Sequence, residues 1–325
     1  MKVNIILPMI SIGYKMDAKV IQSVIPKSKI CTNKLFYENA LMNIFIQNVN
    51  DKNFLKNAKY NLVVINQELF FHNGVHKNSP IYDIDYVLCK SSIAVKLAKK
   101  FKMEYKFKYK IYKIGFTTIF PKIKTVKNYN EMIHSAGSHH WKQTDTIVKL
   151  WLKHPELPKI TITCEKQCYK NIKHLLKNKK LPENIVIYKK LIPFDKYIKL
   201  KNEIGIHITP SLIEGFGHYI NEARIVGATI LTSNYPPMNE LVNKECGVLV
   251  NCSKLLIKRN KSKICYINEN DLLKGITKII SMSDQEKEKL GENAYNSYIK
   301  EKKYFTKRMN LLIDKLSNKN KKTLS

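Results

Sequence analysis

Two carboxylates separated by seven residues, Glu214 and Glu222, flank a glycine-containing turn in the stretch PSLIEGFGHYINEAR. Gly215 and Gly217 allow the backbone to come close to a ligand, and the backbone N–H groups at the start of the following helix attract a phosphate. Carboxylates on both sides of an anion site are suited to hydroxyl groups rather than to the phosphate itself. The spacing therefore predicts a site for a phosphate with a polyol at each end, which is the chemistry of a nucleotide sugar.

The elements that must position this site can be placed from the hydrophobic pattern. Residues 204–211 are expected to form a strand, 212–217 a loop, and 218–226 a helix that is closed by Gly227. In an open α/β sheet, ligands bind in the loops that follow the carboxyl ends of the strands. The two carboxylates are therefore predicted to lie at the ligand-binding edge of a sheet.

Short apolar segments rich in β-branched residues alternate with helical patterns along the chain. This alternation predicts parallel strands with helices on both faces of the sheet. The predicted strands are too many for one sheet, so we expect an α/β protein with two Rossmann-like, doubly wound parallel-sheet domains that face a cleft. The predicted strands are KVNIILP, YNLVVIN, IDYVLC, YKIYKIGF, MIHSAG, KITITC, NIVIYKK, IGIHITPS, ATILTS and GVLV.

The boundary between the two domains is predicted at the proline- and lysine-containing stretch PKIKTVKN. We assign residues 1–122 to an N-terminal domain and residues 128–300 to a C-terminal domain. From Ser283 onward the pattern predicts consecutive helices. Residues 301–325 are expected to form a C-terminal helix and a lysine-rich tail, which can pack back on the N-terminal domain.

The chain of 325 residues has a formal net charge of +31, which is typical of proteins that bind nucleic acid or anionic membranes. Arginine, the residue preferred for forked recognition of phosphates and bases, occurs only as Arg224, Arg259 and Arg308. Nucleic acid is therefore the less favoured partner. The richness in Lys, Asn, Ile and Tyr also matches the codons of an AT-rich genome, so the charge alone does not assign a function.

The cysteines are scattered along the chain without the paired spacing of a zinc site. We therefore predict buried free thiols and a reducing, cytoplasmic location, with peripheral contact with an anionic membrane as an alternative. No stretch reaches the ~20 consecutive apolar residues of a membrane-spanning helix, and the opening segment VNIILPMISI is expected to be a strand rather than a signal peptide. The cysteines are Cys31, Cys89, Cys164, Cys168, Cys246, Cys252 and Cys265.

The stretch with both carboxylates resembles the signature of retaining glycosyltransferases of family-4 type, the glycosyl transferases group 1, which have the GT-B fold. The segments GATILTSNYPPMNELV and CGVLVN are similar to the next elements of that family, and the resemblance extends from about Tyr129 to Phe305. It implies transfer of a sugar from a UDP- or GDP-sugar to a glycan, protein or lipid acceptor. It also implies that no metal or other cofactor is needed beside this donor substrate.

By this resemblance, Glu214 holds hydroxyl groups of the donor sugar and Glu222 binds the ribose. The backbone of residues 215–217, which includes Phe216, faces the diphosphate. Lys142 aligns with the lysine of the family, and a fixed cation there stabilises the negative charge on the departing phosphate. Lys142 and Glu214 are therefore predicted to be catalytic.

The segment before this lysine departs from the family in one position. The basic residue that usually follows the glycine is replaced by Ser138, which comes after Gly137. Gly137 and Ser138 are still predicted to contact the donor. Either Ser138, His139 or Thr144 supplies hydrogen bonds instead of the missing cation, or the leaving group is less strongly held. His134 matches a subgroup pattern and is a further candidate, with a core histidine satisfied by hydrogen bonds as the alternative.

The resemblance implies that the N-terminal domain binds the acceptor. Asn66, Gln67 and Glu68 end one buried strand, and Lys90 follows the next strand. We predict Glu68 as a catalytic residue and Asn66 and Lys90 as further active-site residues, with helix capping by Glu68 and Ser91 as the alternative. Gly13, in the loop after the first strand, lies where the family has a glycine near the donor phosphates.

Other functions are compatible with the same residues. A glycoside hydrolase could use Glu214 and Glu222 as its acid and base, and a sugar-nucleotide epimerase could share the fold. A basic protein that binds nucleic acid or an anionic membrane could retain the sugar-nucleotide site in degenerate form.

Overall fold

The computed structural model describes residues 1–32, 36–49, 51–68, 79–138, 140–176, 181–257 and 263–322. The chain forms two compact units. Unit 1 comprises Met1–Ile119 together with Ile299–Ser325, and unit 2 comprises Phe120–Tyr298. The chain therefore returns to unit 1 after it has completed unit 2.

Unit 1 is built on a parallel sheet. Its strands are β1 (Val3–Ile6), β2 (Lys29–Cys31), β3 (Ala40–Ile46), β4 (Ala58–Ile65), β5 (Tyr86–Cys89) and β6 (Lys110–Lys113). They pair in the order β2-β1-β3-β4-β5-β6. The connections contain the helices α1 (Ile12–Val24) and α2 (Ser92–Glu104) and the short 3-10 turns Lys52–Asn57 and Pro80–Asp83.

Unit 2 is built on a second parallel sheet. Its strands are β7 (Asn128–Gly137), β8 (Lys159–Cys164), β9 (Ile185–Tyr188), β10 (Ile204–Thr209), β11 (Thr229–Ser233) and β12 (Gly247–Val250). They pair in the order β12-β11-β10-β7-β8-β9. A separate antiparallel hairpin consists of β13 (Lys254–Ile257) and β14 (Lys263–Tyr266).

The helices of unit 2 lie between these strands and after them. They are α3 (Thr144–Lys153), α4 (Lys166–Ile172), α5 (Phe194–Glu203), α6 (His218–Val226), α7 (Met238–Leu241) and α8 (Glu269–Ile280). Short 3-10 turns occupy His140–Lys142 and Lys173–Leu176. The last helix, α9 (Asp284–Lys322), begins in unit 2 and ends in unit 1.

The prediction of an α/β protein with two Rossmann-like parallel-sheet domains is confirmed. Each predicted strand is present, but β2, β3, β13 and β14 were not predicted. The most important of these is β3, which lies inside the sheet of unit 1 between β1 and β4. Its sequence is ALMNIFI, an apolar run that contains the polar Asn43.

A row of buried asparagines explains how a polar residue is accommodated in β3. Asn4, Asn43 and Asn61 lie opposite one another on β1, β3 and β4. Asn4 Nδ2 donates to Asn43 Oδ1 at 2.9 Å, and Asn43 Nδ2 donates to Asn61 Oδ1 at 3.0 Å. Because a buried amide is stable only when its polar atoms are hydrogen-bonded, this row fixes the register of the three strands.

The C-terminal part of the chain forms one continuous helix, α9, of 39 residues. The prediction of consecutive helices is therefore wrong. The segment contains no proline, and its single glycine, Gly291, lies at a close contact with another backbone. Among the helices that the structure describes, none is both long enough and apolar enough to cross a membrane.

Cys252 and Cys265 form a disulfide bond, so the prediction of free thiols is wrong for this pair. Cys252 precedes β13 and Cys265 lies in β14, so the hairpin that was not predicted brings the two residues together. The inference of a reducing compartment, which rested on free thiols, has no support from this pair. The remaining cysteines are buried thiols at positions 31, 89, 164, 168 and 246.

Replacing Gly291 by alanine is expected to destabilise the fold. An added Cβ would lie 2.1 Å from the carbonyl oxygen of Gly227, which closes α6 with a φ of 70°. Because the atoms that the added Cβ would meet belong to the backbone, the clash is relieved only by moving a helix. We expect a loss of about 1–3 kcal/mol in the free energy of unfolding.

Gly13→Ala is the matched control, because an added Cβ in α1 meets no atom within 4 Å. Urea unfolding of both variants measures the difference. Equal stability of the Gly291 variant and the wild type would contradict the close packing of α9 on the end of α6.

Candidate active site

The candidate site is built on the loop between β10 and α6, at the carboxyl edge of the sheet of unit 2. Gly217 begins α6 with a φ of 93°, a conformation that other residues rarely adopt. The N–H groups of Ile220 and Asn221 both bond to the carbonyl oxygen of Gly217 at 3.1 Å. The N–H groups that precede these two in the first turn of α6 have no partner within the helix. Free N–H groups at the start of a helix are the geometry that binds anions.

Glu214 lies in this loop and forms an ion pair with Lys142. Lys142 ends the 3-10 turn after β7, and β7 pairs with β10, so the two loops are neighbours. The Lys142 ammonium also lies over the ring of Tyr219, 3.7 Å from the ring centroid. The side chains of Lys142 and Glu214 are 17% and 11% exposed. The structure thus brings these two predicted residues together in a largely buried but accessible pair.

Hydroxyl groups orient the Glu214 carboxylate. Ser211 Oγ donates to Glu214 Oε1, the oxygen that also contacts Lys142. The Tyr219 hydroxyl is in hydrogen-bond contact with Ser211 Oγ. Burial, followed by the charge of Glu214, raises the pKa of Tyr219 well above its usual value, so the phenol stays protonated. Glu214 is therefore held in one direction before any ligand binds.

Gln143, next to Lys142, holds the lysine loop in place. Its backbone has a φ of 52°, and its side chain is buried. Gln143 Nε2 donates to the carbonyl oxygen of Pro210 at 2.5 Å, and Oε1 accepts from the N–H of Ile267 at 3.0 Å. One amide thus ties the loop after β7 to the end of β10 and to the chain after β14, which limits the movement of Lys142.

Glu222 lies in the second turn of α6 and is held through one of its oxygens. Glu222 Oε2 accepts from the Tyr197 hydroxyl at 2.7 Å and lies 3.5 Å from Lys201 Nζ. The Tyr197 hydroxyl is also 3.1 Å from Ser135 Oγ. Burial, followed by the charge of Glu222, raises the pKa of Tyr197. Among the described residues, the hydrogen bond and the ion pair of this carboxylate both use Oε2, which leaves Oε1 for a ligand.

His134 is fully buried in β7 and has a partner for each ring nitrogen. Nδ1 is 2.8 Å from the carbonyl oxygen of Ile208, and Nε2 is 3.0 Å from Thr144 Oγ1. Because a carbonyl oxygen only accepts, Nδ1 carries the proton and Nε2 accepts from Thr144. Burial lowers the pKa of His134 to about 4. These contacts are those of a core histidine, and a role in the site stays a prediction.

The remaining residues predicted on the donor side lie at the ends of β7 and β10. Gly137 ends β7 with a φ of 60°, and Ser138 follows it partly exposed. Gly215 and Phe216 are both buried in the loop before α6. His139 lies outside the described residues.

The residues predicted in unit 1 lie at the carboxyl edge of its own sheet. Lys90 Nζ donates to Asn66 Oδ1 at 2.7 Å and to Asp17 Oδ2 at 2.5 Å, and all three side chains are buried. Glu68 is buried two residues beyond Asn66. Gly13 lies in the first turn of α1 and is exposed, so its assignment to a loop is wrong.

Several residues that hold these groups were missed by the sequence analysis. Except for Ser211, each lies on a different element from its partner, so no local spacing could have revealed the contact. Ser211 and Tyr219 lay inside the motif that contains Glu214. The missed residues are Asp17, Gln143, Tyr197, Lys201, Ser211 and Tyr219.

Within the described ranges, no group of three or more His, Cys, Asp or Glu side chains could hold a metal ion. Glu214 and Glu222 are each paired with a lysine instead.

The sequence of residues 115–297 matches the family model of the glycosyl transferases group 1, over more than half of the chain. The chain belongs to the glycosyl transferases group 1 family. The resemblance inferred from the sequence is thereby confirmed. A search of curated proteins finds no significant match.

Solved structures of glycosyltransferases have the same fold. The pneumococcal O-GlcNAc transferase GtfA, in complex with UDP and GlcNAc, is 11% identical with a TM-score of 0.62, and the match covers 86% of this chain and 57% of GtfA. Sucrose-phosphate synthase from Thermosynechococcus elongatus is 11% identical with a TM-score of 0.70, covering 98% and 99%. A glycosyltransferase from Rickettsia africae is 14% identical with a TM-score of 0.66, covering 97% and 98%.

At these identities the likeness shows the fold alone, which is the GT-B type with two Rossmann-like domains. The chain spans little more than half the length of GtfA. It spans nearly the whole of the sucrose-phosphate synthase and of the Rickettsia africae glycosyltransferase.

Acidification is expected to weaken the fold through His134. An unfolded histidine has a pKa of about 6.5, whereas burial lowers the pKa of His134 to about 4. The unfolded chain therefore binds the extra proton between these values. Through His134, the free energy of unfolding should therefore fall by about 1.4 kcal/mol for each pH unit as the pH drops from about 6.5 toward 4. Above pH 6.5 the histidine is neutral in both states, and its contribution to stability is fully present.

Urea unfolding between about pH 8 and pH 5 measures this slope. His134→Gln should be less stable than the wild type at high pH, and the difference should shrink as the pH falls. His174→Gln, at an exposed position, is the control and should follow the wild type. Parallel pH curves for His134→Gln and the wild type would show that His134 is not held neutral.

Proposed function

We propose that the protein is a retaining glycosyltransferase that moves a sugar from a UDP- or GDP-sugar to a hydroxyl group of a glycan, protein or lipid acceptor. The observation that carries this proposal is the convergence of Lys142, Glu214 and the start of α6 at one edge of the sheet of unit 2. Membership of the family supports glycosyl transfer as the reaction. The complex of GtfA with UDP and GlcNAc supports a nucleotide sugar as the donor.

The donor would lie along the loop between β10 and α6. Its diphosphate would meet the N–H groups at the start of α6, where a phosphate is favoured by unpaired donors and by the helix dipole. Its ribose would bond to Glu222, whose Oε1 remains for a ligand while Tyr197 and Lys201 hold Oε2. Its sugar hydroxyls would bond to Glu214.

Lys142 would stabilise the departing diphosphate. The charge of Lys142 is offset by Glu214 while no donor is bound. A diphosphate that lies between Lys142 and α6 can share this cation, and the attraction grows as negative charge builds on the leaving phosphate. Preorganisation by Gln143, Ser211 and Tyr219 reduces the reorganisation that this step requires.

Retention would follow if the acceptor attacks on the face from which the diphosphate leaves. We assign no protein nucleophile to the reaction. We also propose that the donor is the only bound small molecule that the reaction needs, without a metal ion or another cofactor. The high positive charge of the chain supports a further proposal, that the protein contacts anionic membrane surfaces at its periphery.

Lys142→Ala and Glu214→Ala are each expected to lower kcat about 10²–10³-fold, which corresponds to roughly 2.7–4 kcal/mol of barrier, by analogy with removing one preorganised donor. The rate is measured as release of the nucleoside diphosphate from the donor, with the acceptor in excess. Lys149→Ala is the control, because its ion pair with Asp145 is exposed and lies within α3. Near-normal turnover of either site variant would remove that residue from the mechanism.

Donor binding is expected to raise the thermal stability of the protein. A thermal-shift screen against UDP-, GDP- and ADP-sugars, with and without magnesium, should show one nucleotide that adds about 2.7 kcal/mol at 100 times its dissociation constant. Glu222→Ala should lose the shift. Tyr197→Phe keeps the ring but removes the hydroxyl that orients Glu222, so a smaller loss is expected.

A folded wild-type protein that responds to none of the nucleotide sugars would contradict the proposed donor class. The anomeric configuration of the product, read by NMR, tests retention separately. An inverted product would leave glycosyl transfer in place and exclude the retaining mechanism.

A further inference from the structure

The hairpin of β13 and β14 contacts the candidate site of unit 2 through two backbone N–H groups. Cys265 N–H donates to the carbonyl oxygen of Leu212 at 2.8 Å, in the loop between β10 and α6. Ile267 N–H, just after β14, donates to Gln143 Oε1 at 3.0 Å. Leu212 and Gln143 are close neighbours in the chain of the two predicted catalytic residues. The chain at the end of β14 therefore supports both loops of the site.

A disulfide bond joins the two strands of this hairpin at the position that contacts the site. The bond links Cys252, which precedes β13, to Cys265 in β14. The hairpin is a two-stranded sheet that is separate from the parallel sheet of unit 2, and a two-stranded hairpin is only marginally stable in water by itself. Lys254 and Leu255 of β13 are exposed, so this strand gains little from burial. The cross-link therefore adds a constraint that the hydrogen bonds of the hairpin provide only weakly.

The two cysteines differ in their access to solvent. Cys265 is fully buried, whereas Cys252 is partly exposed. Thiol–disulfide exchange begins when a thiolate attacks one sulfur of the bond, so it requires access to that sulfur. The other cysteines, all within the described ranges, are buried thiols already. A reductant therefore acts on this pair.

We propose that the Cys252–Cys265 disulfide is a redox switch for the candidate site of unit 2. In the oxidised state, β14 holds Leu212 and Gln143, and through them the loops that carry the predicted catalytic residues. In the reduced state, the hairpin loosens and both loops lose this support, so donor binding and sugar transfer weaken. The loss of transfer rests on the proposed function, whereas the loosening of the two loops does not.

The co-reactant of the switch is a dithiol. One thiolate of the dithiol attacks the sulfur of Cys252, and the S–S bond breaks as Cys265 leaves and takes up a proton. The second thiol of the reductant then displaces Cys252 and closes a disulfide within the reductant. Two electrons and two protons thus pass from the dithiol to the protein. Exchange with an oxidised dithiol reverses both steps and restores the bond.

Amide hydrogen exchange of the full chain without ligand, read by NMR, tests the loosening. The N–H groups of Cys265 and Ile267 report directly on the two hydrogen bonds to the site. Reduction by dithiothreitol should raise the exchange rates of these amides at least about tenfold, which corresponds to about 1.4 kcal/mol of local stability. The amides of β1 in unit 1 are the internal control and should keep their rates. Alkylation followed by mass mapping verifies that the pair is reduced.

Sugar transfer tests the consequence for the site. Reduction should lower kcat/KM for the nucleotide sugar at least about tenfold, and reoxidation should restore it. Cys252→Ser cannot form the disulfide, so it should show the low value with and without reductant. Cys31→Ser, which replaces a buried thiol of unit 1, is the matched control and should respond to the reductant like the wild type.

Unchanged exchange rates, or an unchanged kcat/KM, in a chain whose pair is reduced would overturn the proposal. A pair that resists dithiothreitol in the folded chain overturns it as well. So does loss of the cooperative urea transition on reduction, because the disulfide then holds the whole fold rather than the site. An oxidised wild type with neither transfer nor a nucleotide-sugar thermal shift counts instead against the proposed transferase, and the exchange rates then decide on the switch.

Discussion

The parallel pairing of β10 with β7 is the contact on which the candidate site of unit 2 depends. Because the two strands run in the same direction, the loops that follow them emerge side by side at one edge of the sheet. These loops carry Glu214 and Lys142, whose side chains meet although they are 72 positions apart in the chain. A backbone hydrogen bond from Leu212 N–H to the Trp141 carbonyl oxygen, at 2.8 Å, joins the loops directly.

Buried ion pairs occur where the two sheets carry their candidate binding groups. Moving two charges out of water is costly, and a buried pair often adds little to stability compared with apolar residues of the same size. Stability alone therefore does not account for such pairs, whereas a binding site gains from carboxylates and lysines with fixed directions. The pairs are Lys90–Asp17, Lys142–Glu214 and Lys201–Glu222.

The arginines serve packing in the part of the chain that the structure describes. Arg224 is fully buried and donates to Asn221 at 2.7 Å and to Ser297 at 3.0 Å, which joins α6 to α9. Arg308 lies over the ring of Tyr112, 4.1 Å from its centroid. Arg259, the remaining arginine, lies outside the described residues. The described arginines thus give no forked site for phosphates or bases, and the large net charge comes from lysine.

The sequence by itself determined the fold class and the position of the loop between β10 and α6. It could do so because these features depend on local properties, namely apolar strands that alternate with helical patterns and glycines at positions of positive φ such as Gly217 and Gly227. The tertiary structure decided which strands lie side by side, including β3, whose polar Asn43 is hydrogen-bonded to Asn4, to Asn61 and to the carbonyl oxygen of Phe54. It also decided the partners of each site residue. Hydrogen bonds between distant residues depend on the order of the strands in the sheet, and the local sequence pattern does not encode that order.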